Sequence, residues 1–132
     1  MEFKERLLAA SSPGVDEKKR ATEEIYLVLR EAIDAINELL DVKCVVKLSY
    51  YDFKMYHTVI VPGKWCPQES VELFSLGIPD SGYLGTVKLC YDDESMFTTK
   101  SKEGLEESFV ELFGSTSFNR NIRLAKSFLP NV

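Results

Sequence analysis

Residues 38–52 read ELLDVKCVVKLSYYD, and within them the hydrophobic period changes. Upstream, Ile25, Val28, Leu29, Ala32, Ile33, Ile36, Leu39 and Leu40 recur at the three-and-four spacing of one buried helical stripe. Downstream, Val42, Cys44, Val46, Leu48 and Tyr50 alternate with Lys43, Lys47 and Ser49, the period of a strand. A long helix from about Asp16 to Asp41 that runs straight into a sheet points to an α+β fold. Tyr26 and Leu27 fall off the main stripe and offer that helix a second apolar contact.

Toward the N-terminus, Phe3 to Ala10 predicts a short helix ended by Ser11-Ser12-Pro13-Gly14. Ser12 suits an N-cap and Pro13 a first helical position, with Asp16 and Glu17 near the positive end of the helix dipole. Toward the C-terminus a second strand runs from Tyr56 to Val61 and stops at Pro62-Gly63. Val71 to Ile78 and Tyr83 to Tyr91 read as two further strands joined around Pro79-Asp80-Ser81-Gly82. Val71–Ile78 carries apolar residues on both faces, so the covered face is not legible.

Asp92-Asp93-Glu94-Ser95 reads as the end of the sheet. A helix then starts near Ser101 with Leu105, Phe109, Leu112 and Phe113 as its stripe and Gly114 as its cap. Ser115-Thr116-Ser117 precedes a last helix with Phe118, Ile122, Ala125 and Leu129 at helical spacing. The expectation is a single α+β domain, a four-stranded antiparallel meander flanked by a long N-terminal helix and C-terminal helices. Its parts are a short helix and turn (1–15), the long helix (16–41), the sheet (42–91), and a loop with the last helices (92–132).

The passage from the long helix into ELLDVKCVVKLSYYD resembles the opening of a GAF domain. Residues 71–113, VELFSLGIPDSGYLGTVKLCYDDESMFTTKSKEGLEESFVELF, resemble the closing half of that family, with Leu84-Gly85 in its returning strand and Phe97-Thr98 before a helix. The likeness spans roughly Thr22 to Lys126. It implies a GAF/PAS-like sheet and a sensory or regulatory role, by binding a small ligand or by dimerising. Two departures accompany it. GAF domains carry a long pocket-closing segment where this chain has only the short stretch Pro62 to Ser70, which implies a small or open pocket. The C-terminal helix is also interrupted at Gly114 to Ser117, where the family commonly runs unbroken.

The 132 residues suit one core, and 45% hydrophobic with 28% charged side chains is a globular composition. The net charge of −5 argues against sequence-independent nucleic-acid binding, which neutralises many phosphates with Lys and Arg. That acidity lies in the terminal thirds: residues 1–41 balance to −4 and 92–132 to −2, while 42–91 balance to +1. No membrane span or signal peptide is expected, since apolar runs are short and Met1 to Arg6 alternates charge. The odd set Cys44, Cys66 and Cys90, without CxxC spacing, favours free thiols and a cytoplasmic location.

Candidate chemistry is sparse. His57 is the only histidine, and with three scattered cysteines it fits no zinc spacing, so neither metal nor cofactor is expected. Cys66, between Lys64-Trp65 and Pro67, is the thiol expected to be most exposed, whereas Cys44 and Cys90 read as strand residues. Asp92-Asp93-Glu94 lacks the order of a calcium loop, and Gly82 with Gly85 is no phosphate cradle. Arg120, Arg123 and Lys126 gather on one face of the last helix and read as a wet stripe.

Aromatic residues near the first turn and the following loop suit a contact surface. The expected ligand or partner site comprises Tyr50, Tyr56, His57, Trp65 and Cys66, with no catalytic residue. Tyr26, Leu27, Leu124 and Phe128 are the expected dimer contacts between terminal helices. The reading is thus a non-enzymatic sensory or regulatory module. The alternative is a stand-alone acidic partner-binding protein of inhibitor, immunity or chaperone-like type. A thiol enzyme using Cys66 and His57 ranks third.

Overall fold

The computed structural model describes residues 2–40, 44–63, 70–91 and 95–127, without the side chains of 11–19, 21, 84 and 95. Helix α1 (Phe3–Leu40) leads into strands β1 (Val45–Tyr51), β2 (Lys54–Pro62), β3 (Ser70–Pro79), β4 (Val87–Tyr91) and β5 (Ser95–Thr99). Helices α2 (Lys102–Phe113) and α3 (Thr116–Ser127) follow. The strands form one antiparallel sheet in chain order, β1-β2-β3-β4-β5, so β1 and β5 are its edges. The α+β class and the meander are as expected, and three features differ.

First, the sheet has five strands and not four. Ser95 begins β5, which pairs with β4 from Tyr91↔Ser95 to Val87↔Thr99. Adjacent Met96 and Phe97 do not alternate, so the period gave this strand no signature. Second, α1 is continuous through residues 11–14, where Ser-Ser-Pro-Gly suggested a break. An internal proline forfeits a hydrogen bond and costs ~3 kcal/mol, which disfavours a helix without forbidding one. Third, β4 starts at Val87, because Gly82–Leu84 forms a turn of 3-10 helix closed by Gly85 N–H onto the Gly82 carbonyl. Leu84-Gly85 therefore precedes β4, and Phe97-Thr98 lies within β5.

The register assigns the two faces. His57, Val59 and Val61 of β2 stand beside Leu76, Phe74 and Val71 of β3, and Leu76 beside Leu89 of β4. These residues are buried beneath Ile25, Val28, Leu29, Ala32 and Ile36 of α1, Leu105, Phe109 and Leu112 of α2, and Phe118, Ile122 and Ala125 of α3. Phe74 meets Phe109 edge-on at 5.2 Å, and Phe113 stacks on Phe118 at 4.6 Å. The apolar residues on both faces of β3 are explained by a bulge: Val59 pairs with Phe74 but Ile60 with Glu72, so Leu73 is the extra residue. Leu73 and Phe74 are both buried as a result. Leu39, counted in the stripe, is exposed.

The helix caps follow the sequence. The Ser101 hydroxyl accepts from the Gly104 N–H at 3.0 Å and starts α2. The Ser115 hydroxyl accepts from the Phe118 N–H at 3.2 Å and starts α3. Among the described residues, no helix is long and apolar enough to cross a membrane.

Candidate functional site

Strand β1 lies outside the helix layer. All of its seven residues are exposed, including Val45, Val46, Leu48, Tyr50 and Tyr51. Its link to β2 is the two-residue loop Asp52-Phe53, with φ of 52° and 60°. Positive φ at both positions is what a type I′ turn requires, and it twists β1 in the sense of the sheet. Lys47 is the only charge on the strand.

Pairing places Val46, Leu48 and Tyr50 on the helix face, beside Val59, His57 and Met55. An open groove of about 300 Å³ runs there between α1 and β1, lined by Tyr26, Leu29, Arg30, Ile33, Val46 and His57. Tyr26 meets the His57 ring edge-on at 5.1 Å, and His57 Nδ1–H donates to the Met55 carbonyl at 3.2 Å. Burial lowers the His57 pKa, so the imidazole is neutral near pH 7. At the far end, the Tyr50 hydroxyl donates to Asp80 Oδ2 at 2.9 Å, and that contact raises the Tyr50 pKa.

Of the five expected site residues, Tyr50, Tyr56 and His57 are described, and they do not share one face. Tyr50 and His57 share the helix face, but Tyr56 points to the other side, since neighbours along a strand alternate. Tyr56 is only 3% exposed: Tyr51 stacks on it at 4.2 Å, and it covers Gly77, where a Cβ would stand 2.7 Å from its ring. Its pKa is pushed up to about 12, by burial first and then by Tyr51. His57, at 5% exposure, is a wall of the groove and not part of an open surface. Trp65, Cys66 and Phe128 lie outside the described residues.

Of the expected helical contacts, Tyr26, Leu27 and Leu124 are all exposed, and Tyr26 faces the groove. Val46, Ile33 and Leu48 were missed as site residues. The available signal was the first strand's position at the edge of a meander, which leaves its apolar residues without a second neighbour.

Other chemistry is thin. Burial raises the thiol pKa of Cys44 and of Cys90, which makes both poor nucleophiles. Among the described residues no group of three His, Cys, Asp or Glu side chains could hold a metal ion. A second open groove, of about 410 Å³, lies between α1 and α2, with Val28, Ala32, Phe109 and Phe113 below Glu31 and Glu106. Nearby, the buried Tyr83 hydroxyl is the only buried side-chain polar atom among the described residues without a hydrogen-bond partner. Its pKa is pushed up to about 12 by burial, then by Glu24, Glu106 and Glu103. Comparisons with models of protein families, with curated proteins and with solved structures found no match to this chain.

Proposed function

We propose that this chain is a non-enzymatic sensory or regulatory module that works by association. Its contact surface is the free edge of β1 together with the α1–β1 groove. The observation that carries the reading is the exposure of the whole apolar strand β1, with Leu48 at 62%. Edge strands of this length and composition are ready templates for pairing, and proteins usually blunt them with charge, proline or a bulge. β1 has one lysine and no proline, and its pairing with β2 is regular. The GAF-like sequence pattern agrees with a regulatory module, and the short link between β2 and β3 agrees with an open groove in place of an enclosed pocket.

The groove also favours a second reading, a small apolar ligand held between Tyr26, Ile33 and Val46. Its volume is at the lower end of ligand pockets, ~300–1,000 Å³. A strand donated by a different protein would use the same edge by β-augmentation, as in the acidic partner-binding alternative.

Native mass spectrometry of gently purified protein tests the reading. Wild type and Leu124→Glu should retain a bound species, whether protein or small molecule, and Leu48→Lys should lose or weaken it. Retention by Leu48→Lys would remove β1 as the contact surface.

A further inference from the structure

Strand β1 is self-complementary about its own centre. Its seven residues, Val45–Tyr51, have Leu48 at the midpoint. Set antiparallel to itself about that residue, the strand matches Val46 with Tyr50 and Leu48 with Leu48 on the helix face. On the other face it matches Val45 with Tyr51 and Lys47 with Ser49. Apolar residues meet apolar ones throughout, and the single ammonium group meets a hydroxyl. Centring on Lys47 would instead place two like charges directly opposite each other, which is destabilising. Centring on Ser49 would set Val46 against Asp52 and leave Val45 beyond the strand.

The backbone agrees with this register. The two-residue turn closes on the hydrogen-bonded pair Tyr51↔Lys54. Bonding then alternates along an antiparallel ladder, so the N–H and C=O groups of Tyr50, Leu48 and Val46 point to the free edge. Those are the residues that the Leu48-centred pairing brings opposite one another.

We infer that the occupant of the β1 edge is a second copy of this chain, joined antiparallel through β1 about a two-fold axis at Leu48. This deepens the association reading above and rests on it. The two sheets continue as one, and Tyr50 of the second copy comes to lie over Val46, at the groove with Tyr26 and Ile33. Charge favours this contact over others: the chain carries −5, yet residues 45–62 hold only Lys47, Asp52 and Lys54. Two acidic molecules thus meet where neither is acidic. The exposed residues Val45, Val46, Leu48, Tyr50, Tyr51 and Tyr26 make a contact one strand wide, which places the pair at the small end of specific interfaces, ~1,200 Å² in total. A reversible, concentration-dependent dimer is the consequence, strengthened by salt that screens the acidic helices.

The test is sedimentation velocity of the full chain over a wide concentration range, with three variants. Wild type should pass from monomer to dimer, while Leu48→Lys stays monomeric with an unchanged circular-dichroism melt. Leu48→Cys should oxidise to a dimer bridged at position 48, identified by mass spectrometry, because paired Cα atoms ~5.5 Å apart suit a disulfide. Ser49→Cys, which faces Lys47 across the axis, should not bridge to itself. A wild type that stays monomeric throughout overturns the second copy as occupant; loss of the species bound in native mass spectra by Leu48→Lys would then leave the β1 reading standing. A dimer that survives Leu48→Lys, with no bridge at position 48, overturns the inference and the reading together.

Discussion

At the scale of the residue, the groove is built on one unusual placement, a lone histidine in the interior. His57 lies between Leu48 and Leu76 in the sheet and against Tyr26 from α1. Its pKa in the folded chain is below the ordinary 6.5, because burial disfavours the charged ring. The unfolded chain therefore binds the extra proton first. This contribution to stability is complete above about pH 6.5 and is lost as pH falls through the folded value. The urea midpoint should drop from pH 7.5 to pH 5.5, and the drop should shrink in His57→Gln; an equal drop in both proteins would contradict this. Tyr83 is the opposite case, a buried hydroxyl that gains no hydrogen-bond partner among the described residues. An unsatisfied buried group costs about 1–3 kcal/mol, so Tyr83→Phe should leave stability unchanged or raise it by up to about 1 kcal/mol in urea unfolding. A marked loss would show that the hydroxyl is bonded in solution.

At the scale of the element, what was legible depended on whether the residues alone decide the outcome. The α1 stripe reads correctly from Ile25 to Ile36 because one helix face packs against one sheet. The start of α2 was also legible, since Ser101 caps it through its own side chain. Ser101→Ala should cost about 1 kcal/mol in thermal or urea unfolding, and no loss would assign the stability of α2 to packing alone. Over Val45–Tyr51 the chain forms the expected strand, with Val46, Leu48 and Tyr50 on one face, while Val42 lies outside the described residues and Cys44 precedes the strand; the strand's exposure was not legible. Alternation says which side chains share a face and nothing about whether a helix covers that face. Tyr56 is separated from Tyr50 and His57 for a related reason: consecutive residues of a strand face opposite sides, however close they are in sequence. β5 and the β3 bulge were hidden because both put apolar residues next to each other, Met96 with Phe97 and Leu73 with Phe74.

At the scale of the whole molecule, the helices cover one side of the sheet and leave its first strand out. The two edges differ in consequence: β5 is a five-residue strand with α2 beside it, whereas β1 is longer, almost uncharged and uncovered. The division of charge sharpens this contrast, because the acidic terminal thirds are the helical ones and the neutral middle holds β1. Two copies, each carrying a net charge of −5, meet with the least charge opposition where β1 faces β1. Residue-resolved amide hydrogen exchange, followed by NMR at low and high protein concentration, tests that claim most directly. The amides of Val46, Leu48 and Tyr50 should exchange freely when dilute and become protected as concentration rises, while Met96 and Thr98 on β5 do not change. Exchange at Val46, Leu48 and Tyr50 that stays fast at every concentration would show that β1 remains an open edge and that no second copy pairs with it.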